Sequence, residues 1–142
     1  INDRIDLALA VDADGVHLGQ DDLPTDVARE LIGEARLLGR STHTLDDVRR
    51  ADADACDYLG LGPVYTTAVK PDKPAIGPMR LQEAQALTRR PVFAIGGIEL
   101  NNITALLDMG CRRVAVISAI MAAENPERAS QQLLQALLPP VD

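Results

Sequence analysis

The stretch VDADGVHLG, residues 11–19, predicts a helix end followed at once by a short buried strand. An acidic residue or a glycine closes the helix, and the apolar run Val16 to Leu18 then begins. Similar turns recur as DADACDYLG, residues 52–60, and DMGCRRVAVIS, residues 108–118. Short, largely apolar strands are typical of a parallel sheet that is buried on both faces. The recurrence indicates one strand–helix unit repeated along the chain.

The strands predicted from this pattern begin at regular intervals. Val16, Leu37 and Tyr58 follow one another after 21 residues, and Val114 follows Val92 after 22. The expected strands are Val16–Leu18, Leu37–Leu38, Tyr58–Leu61, Val92–Ile95 and Val114–Ile117. Helical patterns lie between and after them, in residues 23–33, 41–55, 78–90, 100–110 and 125–138.

Repeated strand–helix units form either an open doubly wound sheet or a closed (β/α)8 TIM barrel. The even spacing, with glycine or serine directly after several strands, favours the barrel. A barrel typically needs ~200–250 residues. Because five strands and a stub at Ile1 are predicted here, we expect one α/β domain over residues 1–142. It would be an N-terminally truncated barrel covering roughly the end of strand 3 to strand 8.

The composition limits the classes of function. Hydrophobic residues make up 46% of the 142 residues and aromatic residues only 2%, which predicts an aliphatic core. The net charge of −7 argues against a nucleic-acid partner, because phosphate backbones are bound by basic surfaces. Cys56 and Cys111 match no metal-binding spacing, so we expect reduced, buried thiols. With no apolar segment long enough for a bilayer, the prediction is a cytoplasmic protein without membrane partners.

The loop VYTTAVKPDKPAIG, residues 64–77, interrupts the regular spacing. Tyr58 and Val92 are 34 residues apart, so this interval holds about a dozen extra residues after a strand. Lys70 and Lys73, the only lysines in the chain, both lie in it. They are either solvent-exposed loop charges or phosphate ligands, and a loop at a strand end favours an active-site role.

Other polar residues also follow strands. Asp3 and Asp22 come from neighbouring strand ends and would suit Mg²⁺, although either could instead cap the next helix. His17 lies inside a strand and is predicted to be a hydrogen-bonded interior histidine. His43 follows a strand and could serve the site or a helix start. The turn AIGGIELNN, residues 94–102, with Ser118 predicts a phosphate cradle, and a simple tight turn is the alternative.

Several motifs together resemble the thiamine phosphate synthase family over essentially the whole chain. They are residues 1–24 (INDRIDLALAVDADGVHLGQDDLP), 39–47 (GRSTHTLDD), 57–77 (DYLGLGPVYTTAVKPDKPAIG), 92–102 (VFAIGGIELNN) and 112–120 (RRVAVISAI). The resemblance implies a transferase that joins hydroxymethylpyrimidine pyrophosphate to thiazole phosphate. The products would be thiamine phosphate and pyrophosphate, and Mg²⁺ would be required.

The resemblance also implies residue roles for the pyrimidine substrate. Asn2 would contact its pyrophosphate, Asp3 and Asp22 would hold Mg²⁺, and Ser41 would bind the pyrimidine. Lys70 would lie on the departing pyrophosphate. Ser41 and Lys70 are therefore the expected catalytic residues.

For the thiazole phosphate, the resemblance implies a cradle formed by Gly97, Ile117 and Ser118, with Thr67 nearby. The chain departs from the family where the loop usually reads Thr-Pro-Thr-Lys. Val69 stands there in place of a threonine hydroxyl.

Two other functions compete with the synthase. A related thiazole tautomerase would use His43 for proton transfer and need no metal. A non-catalytic fragment is the third reading, because 142 residues cannot close an eight-stranded barrel and would leave strand edges unpaired. The sequence is also compatible with a homo-oligomer.

Overall fold

The protein, described here by a computed structural model over residues 1–138, contains one five-stranded parallel sheet. Its strand order follows the chain order. The strands are β1 (Gly15–Leu18), β2 (Leu37–Thr42), β3 (Tyr58–Leu61), β4 (Val92–Ile95) and β5 (Val114–Ala115). The five predicted strands and the α/β class are confirmed. β2 runs four residues beyond the predicted Leu37–Leu38 and therefore includes Ser41, and β5 ends two residues earlier than predicted.

Seven helices accompany the sheet in the described residues. They are α1 (Ile5–Ala10), α2 (Thr25–Ile32), α3 (Leu45–Ala53), α4 (Gly77–Leu87), α5 (Ile103–Asp108), α6 (Ser118–Met121) and α7 (Pro126–Leu137). Five of them match the helical patterns in the sequence, whereas the short α1 and α6 were not predicted. None of the described helices has the length and apolar character needed to cross a membrane.

Local capping chemistry explains where several helices begin and end. The Thr44 hydroxyl accepts a hydrogen bond from the Asp47 N–H at 3.1 Å, and the Asp47 carboxylate accepts one from the Thr44 N–H at 2.8 Å. This reciprocal pair is a capping box that starts α3. Asn125 caps α7 with a single hydrogen bond, which its side-chain oxygen accepts from the Arg128 N–H at 2.9 Å. Gly110 follows α5 with φ of 77°, a left-handed conformation that suits glycine after a helix.

The core lies between the sheet and the helices and is aliphatic, as predicted. The largest fully buried side chains are Leu18, Leu38, Leu59 and Leu61 from the strands, with Val48, Val64, Leu81, Ile103, Leu106, Cys56 and Cys111 from elsewhere. Both cysteines are free and buried, which confirms the prediction for them.

A buried arginine joins α2 to the amino-terminal edge of the sheet. The Arg29 guanidinium is paired with Asp57 at 2.7 Å, and the same carboxylate oxygen accepts the Leu38 N–H. Burial alone would raise the pKa of Asp57, but these hydrogen bonds, from Leu38 first and then Arg29, and the guanidinium charge lower the pKa below its usual value. Asp57 therefore stays ionised and fixes the start of β2 and β3.

The sheet is open in the described residues, because β1 and β5 lie at its opposite ends. Beyond β1, Asn2 forms an isolated parallel bridge with His17, and the Ile1 carbonyl accepts the His17 N–H at 2.9 Å. The expected strand stub at Ile1 thus lies beside β1. This order brings the ends of six successive segments to one edge of the sheet.

Candidate active site

Asp3 and Asp22 lie at the carboxyl edge of β1. The Asp3 N–H donates to the His17 carbonyl at 2.8 Å, so Asp3 is held beside the strand. The Asp22 carboxylate accepts the Gly19 N–H at 2.6 Å, which folds the loop after β1 back on itself. Neither residue caps a helix, since Arg4 and Pro24 hold the N-cap positions of α1 and α2. The helix-cap alternative is therefore wrong for both carboxylates.

The electrostatics of Asp3 show which groups lie around it. Partial burial raises the pKa of Asp3, and the hydrogen bond and negative charge of Asp22 raise the pKa further. The positive charge of Lys70 acts in the opposite direction. The charges of two segments that are distant in sequence, the loop after β1 and the long loop, therefore act on Asp3.

A hydrogen-bonded cluster lies on the sheet below these charges. His17 Nε2 is 2.9 Å from Ser41 Oγ, and His17 Nδ1 is 3.2 Å from the Tyr58 hydroxyl. Burial, followed by the charges of Lys70 and Arg40, lowers the pKa of His17 and favours its neutral form. Both ring nitrogens are thus satisfied, as predicted for an interior histidine. The contact with Tyr58 could not be predicted from the sequence, because the two residues are 41 positions apart.

Glycine at position 39 makes room for that cluster. A Cβ built on Gly39 would overlap the Tyr58 ring and His17 Nδ1. Because side chains alternate between the two faces along a strand, position 39 lies on the same face of β2 as Ser41. The conformation of the two rings therefore depends on a residue without a side chain at this point.

The long loop is anchored at both ends. The Val64 N–H donates to Ile95 and the Tyr65 N–H to Gly96, at 2.8 and 3.0 Å. At the far end of the loop, the Gly77 N–H donates a hydrogen bond to the Val64 carbonyl oxygen at 3.0 Å. Loops whose ends are close and whose tips are exposed frequently carry function. This closure holds the exposed tip, which includes Lys70, over the carboxyl edge.

Within the tip, Thr67 and Val69 form a local turn. The Thr67 hydroxyl accepts the Val69 N–H at 3.3 Å, while the Val69 side chain is exposed. The predicted thiazole phosphate contact of Thr67 remains a prediction.

The Gly96–Gly97 turn follows β4 with φ of 97° and 63°. A Cβ on Gly97 would lie only 2.6 Å from the Thr66 carbonyl oxygen. The backbone of the long loop can therefore approach this turn because residue 97 has no side chain. The tight turn is therefore present, and it packs against the active-site loop. Ile117 and Ser118 follow the neighbouring strand β5, and Ser118 begins α6. Their position after parallel neighbours puts them at the same edge as Gly97.

His43 faces a different environment. Its Nδ1 is 2.9 Å from the Gly62 carbonyl oxygen, and its N–H donates to Asp47 at 3.1 Å. One ring nitrogen is therefore engaged by backbone next to the long loop, and the residue supports the start of α3.

Two further features bear on ligand binding. A cavity of about 310 Å³ opens on the sheet face lined by Asn2, His17 and Tyr58, with Ile1, Gly15, Val16 and Leu37. Residues 1–138 contain no cluster of three or more His, Cys, Asp or Glu side chains able to hold a metal ion. A cation at this edge would therefore rest on the two carboxylates of Asp3 and Asp22.

The fold is that of a parallel α/β protein, a class in which ligands bind at the carboxyl ends of the strands. The chain belongs to the thiamine monophosphate synthase family, whose sequence profile matches residues 1–120. It is 69% identical over 140 residues to the thiamine-phosphate synthase of Parasynechococcus marenigrum and 48% identical to that of Thermosynechococcus vestitus. These alignments cover 99% and 96% of this chain but only 40% and 39% of the relatives. The chain thus spans about two fifths of the length of these curated relatives.

One solved structure agrees with this family, and a second shares the fold. The thiamine phosphate pyrophosphorylase of Pyrococcus furiosus superposes with a TM-score of 0.88 at 40% identity, covering 97% of this chain and 67% of that one. The 3-hexulose-6-phosphate synthase of Salmonella typhimurium superposes with a TM-score of 0.72 at 20% identity, covering 94% and 65%. At that identity the second likeness concerns the fold alone.

Proposed function

We propose that the protein is a thiamine phosphate synthase. It would join hydroxymethylpyrimidine pyrophosphate to thiazole phosphate and release pyrophosphate. Membership of the family and the activity for which the relatives are named support this reaction. The observation that carries the proposal is the meeting of Asp3, Asp22 and Lys70 at one edge, because this set suits a pyrophosphate and a hard cation.

Mg²⁺ is the cation that fits the carboxylate pair. The pKa of Asp3 is raised first by loss of solvation and then by the neighbouring Asp22 carboxylate, so a cation between the two would relieve their repulsion. Mg²⁺ is usually held by one or two carboxylates together with substrate phosphates and waters. Asp3 and Asp22 would supply the protein ligands, and the bound ion would neutralise charge on the pyrophosphate. This part of the proposal rests on the chemistry of the donor set.

Lys70 would stabilise the leaving group. Its ammonium group lies close enough to influence both Asp3 and His17, although its side chain belongs to an exposed loop tip. A preorganised positive charge placed where negative charge develops lowers the barrier to bond breaking. Asn2, which precedes Asp3 at the same edge, would bind the pyrophosphate from the other side.

Ser41 would orient the pyrimidine ring. Its hydroxyl is bonded to His17, which is itself held by Tyr58, so the serine has a defined direction. A hydroxyl fixed in this way can exchange one hydrogen bond with a ring substituent at little entropic cost. Ser41 therefore serves in binding and in alignment.

The thiazole phosphate would bind at the ends of β4 and β5. Gly97, Ile117 and Ser118 would form its cradle through backbone N–H groups and the serine hydroxyl. The contact between Gly97 and the long loop supports this placement, because it brings Thr67 towards the same turn. The second substrate would thus lie beside the first.

We propose a dissociative order of bond changes, which a positive charge beside the leaving group would favour. The bond between the pyrimidine methylene carbon and the pyrophosphate oxygen breaks first, and the electron pair leaves with pyrophosphate. The thiazole nitrogen then donates its lone pair to the methylene cation, forming the new carbon–nitrogen bond. No side-chain nucleophile is required. The protein binds, aligns and excludes water while charge develops at the carboxylate and lysine edge.

We also propose that the five-stranded sheet belongs to an eight-stranded barrel, from the end of its third strand to its eighth, within one domain over residues 1–142. The parallel order and the strand-end site support this arrangement.

The test is pyrophosphate release by the purified full-length protein. We expect release with both substrates and Mg²⁺, and its loss when EDTA removes the ion. Mass spectrometry should detect thiamine phosphate in the same sample. Absence of release with both substrates and Mg²⁺ would contradict the proposal. Isomerisation of a thiazole phosphate in EDTA, without pyrophosphate, would indicate a tautomerase.

A further inference from the structure

Two arginine pairs precede neighbouring strands. Arg89 and Arg90 come just before β4, and Arg112 and Arg113 come just before β5. Because β4 and β5 are adjacent and parallel, both pairs lie at the amino-terminal edge of the sheet. The proposed catalytic residues lie at the opposite edge. The function proposed above uses none of these four arginines.

A cavity of about 250 Å³ opens between these two segments. It is lined by three arginines together with uncharged residues and contains no carboxylate in its wall. The lining residues are Arg89, Arg90, Arg113, Gln85, Pro91, Val92 and Gly110. Arg112 is a neighbour in sequence but is not part of the wall, which makes it a natural control.

The hydrogen bonding of the arginines leaves donors available. Arg90 Nη2 donates to the carbonyl oxygens of Asp52 and Asp54 at 3.0 and 2.5 Å. Its Nε is buried, lies 3.8 Å from the Asp52 carboxylate, and has no hydrogen-bond partner among the described residues. Within residues 1–138, Arg89 and Arg113 form no ion pair. Arg89 and Arg113 thus place two positive charges without an ion-pair partner among the described residues at one cavity, in a chain of net charge −7.

We propose that this cavity binds a small phosphate-bearing anion, in a site separate from the strand-end site. Guanidinium groups match phosphate oxygens in pairs and remain charged at all physiological pH values. The volume lies just below the usual range of roughly 300–1,000 Å³ for pockets that hold drug-sized molecules. The cavity therefore suits a group of the size of pyrophosphate better than a complete dinucleotide.

The test measures binding of inorganic pyrophosphate to the full-length protein by isothermal titration calorimetry. EDTA is present, so that metal-assisted binding at the carboxylate edge is suppressed. Arg113→Gln and Arg112→Gln form a matched pair, since each removes one positive charge from adjacent positions. We expect Arg113→Gln to weaken binding by about tenfold, the loss typical of a charge-assisted hydrogen bond. Arg112→Gln should leave the affinity nearly unchanged.

Lys73→Ala removes a positive charge from the loop at the opposite edge, outside the proposed catalytic residues, and should not alter this binding. Equal losses in the Arg112 and Arg113 variants would overturn the proposal, because they would indicate attraction by net charge alone. Loss of the signal in Lys73→Ala, or absence of pyrophosphate binding to the unchanged protein, would overturn it as well.

Gln85→Glu provides a second variant that keeps every arginine. It adds a negative charge to the cavity wall, so we expect pyrophosphate binding to weaken by at least about tenfold. Thermal melting of each variant without ligand checks that it is folded. If Arg113→Gln does not fold, unchanged binding in Gln85→Glu is sufficient to refute the site.

Discussion

Arg29→Ala should destabilise the fold strongly although it lies far from the proposed site. The Arg29 side chain is only 9% exposed and holds the Asp57 carboxylate at 2.7 Å. It also donates to the carbonyl oxygens of Ala55, Gly33 and Arg36 at distances between 2.7 and 3.1 Å. Breaking a buried ion pair typically costs 3–5 kcal/mol, and Asp57 is 41% exposed, so water recovers part of this loss. We expect a loss of about 3 kcal/mol in the free energy of unfolding.

Denaturant unfolding followed by circular dichroism measures this loss, and Arg36→Ala is the control. Arg36 also pairs with an aspartate, but its partner Asp12 is 88% exposed. An exposed pair of this kind contributes at most about 1 kcal/mol. If the two variants lose similar stability, or if Arg29→Ala loses less than about 1 kcal/mol, the reasoning about the buried pair is wrong.

Three further predictions concern the site and the pH dependence. In steady-state kinetics, Lys70→Ala should slow pyrophosphate release by about 100-fold without weakening the affinity for thiazole phosphate. The control Lys73→Ala should release pyrophosphate at a rate close to that of the original protein. Gly97→Ala should destabilise the protein in thermal melts by more than Gly33→Ala, because both positions have positive φ but only Gly97 contacts the loop backbone. Equal losses of melting temperature in the two variants would mean that the positive φ alone, and not the contact with the loop, causes the destabilisation. The pKa of Asp57 is lower in the folded protein than in the unfolded chain, so its ionised form stabilises the fold. This contribution to the free energy of unfolding is complete above the unfolded pKa of about 3.9. It is lost as the pH falls through the folded pKa. In Asp57→Asn, the melting temperature should therefore fall less steeply at acid pH than in the original protein. An equally steep fall of the melting temperature in both proteins would contradict this prediction.

The strands were predictable because their signal is local. Short apolar runs at regular spacing located β3 and β4 with the bounds that the structure has. β5 ended early because β4 stops at Ile95, so Ala115 is the last residue with a partner. The helix α1 was missed, since six residues without a side-chain cap give too little periodicity to recognise.

The site was predictable only in part. The rule that parallel strands carry ligands at their carboxyl ends placed Asp3 and Asp22 together. It could not show that Tyr58 holds His17, because that contact depends on the space above Gly39. Nor could it show that Lys70 approaches the carboxylates, which depends on how the long loop is anchored to β4. Contacts of this kind come from tertiary packing and leave no periodic pattern.

The most direct test of the account is the Mg²⁺ dependence of pyrophosphate release in Asp22→Asn and Asp21→Asn. The two residues are adjacent in sequence, but only Asp22 is near Asp3. We predict that Asp22→Asn loses most of its rate of pyrophosphate release and recovers only part of that rate at high Mg²⁺. The rate of Asp21→Asn should depend on the Mg²⁺ concentration as that of the original protein does. Identical Mg²⁺ curves for the two variants would contradict the proposed metal site and the mechanism built on it.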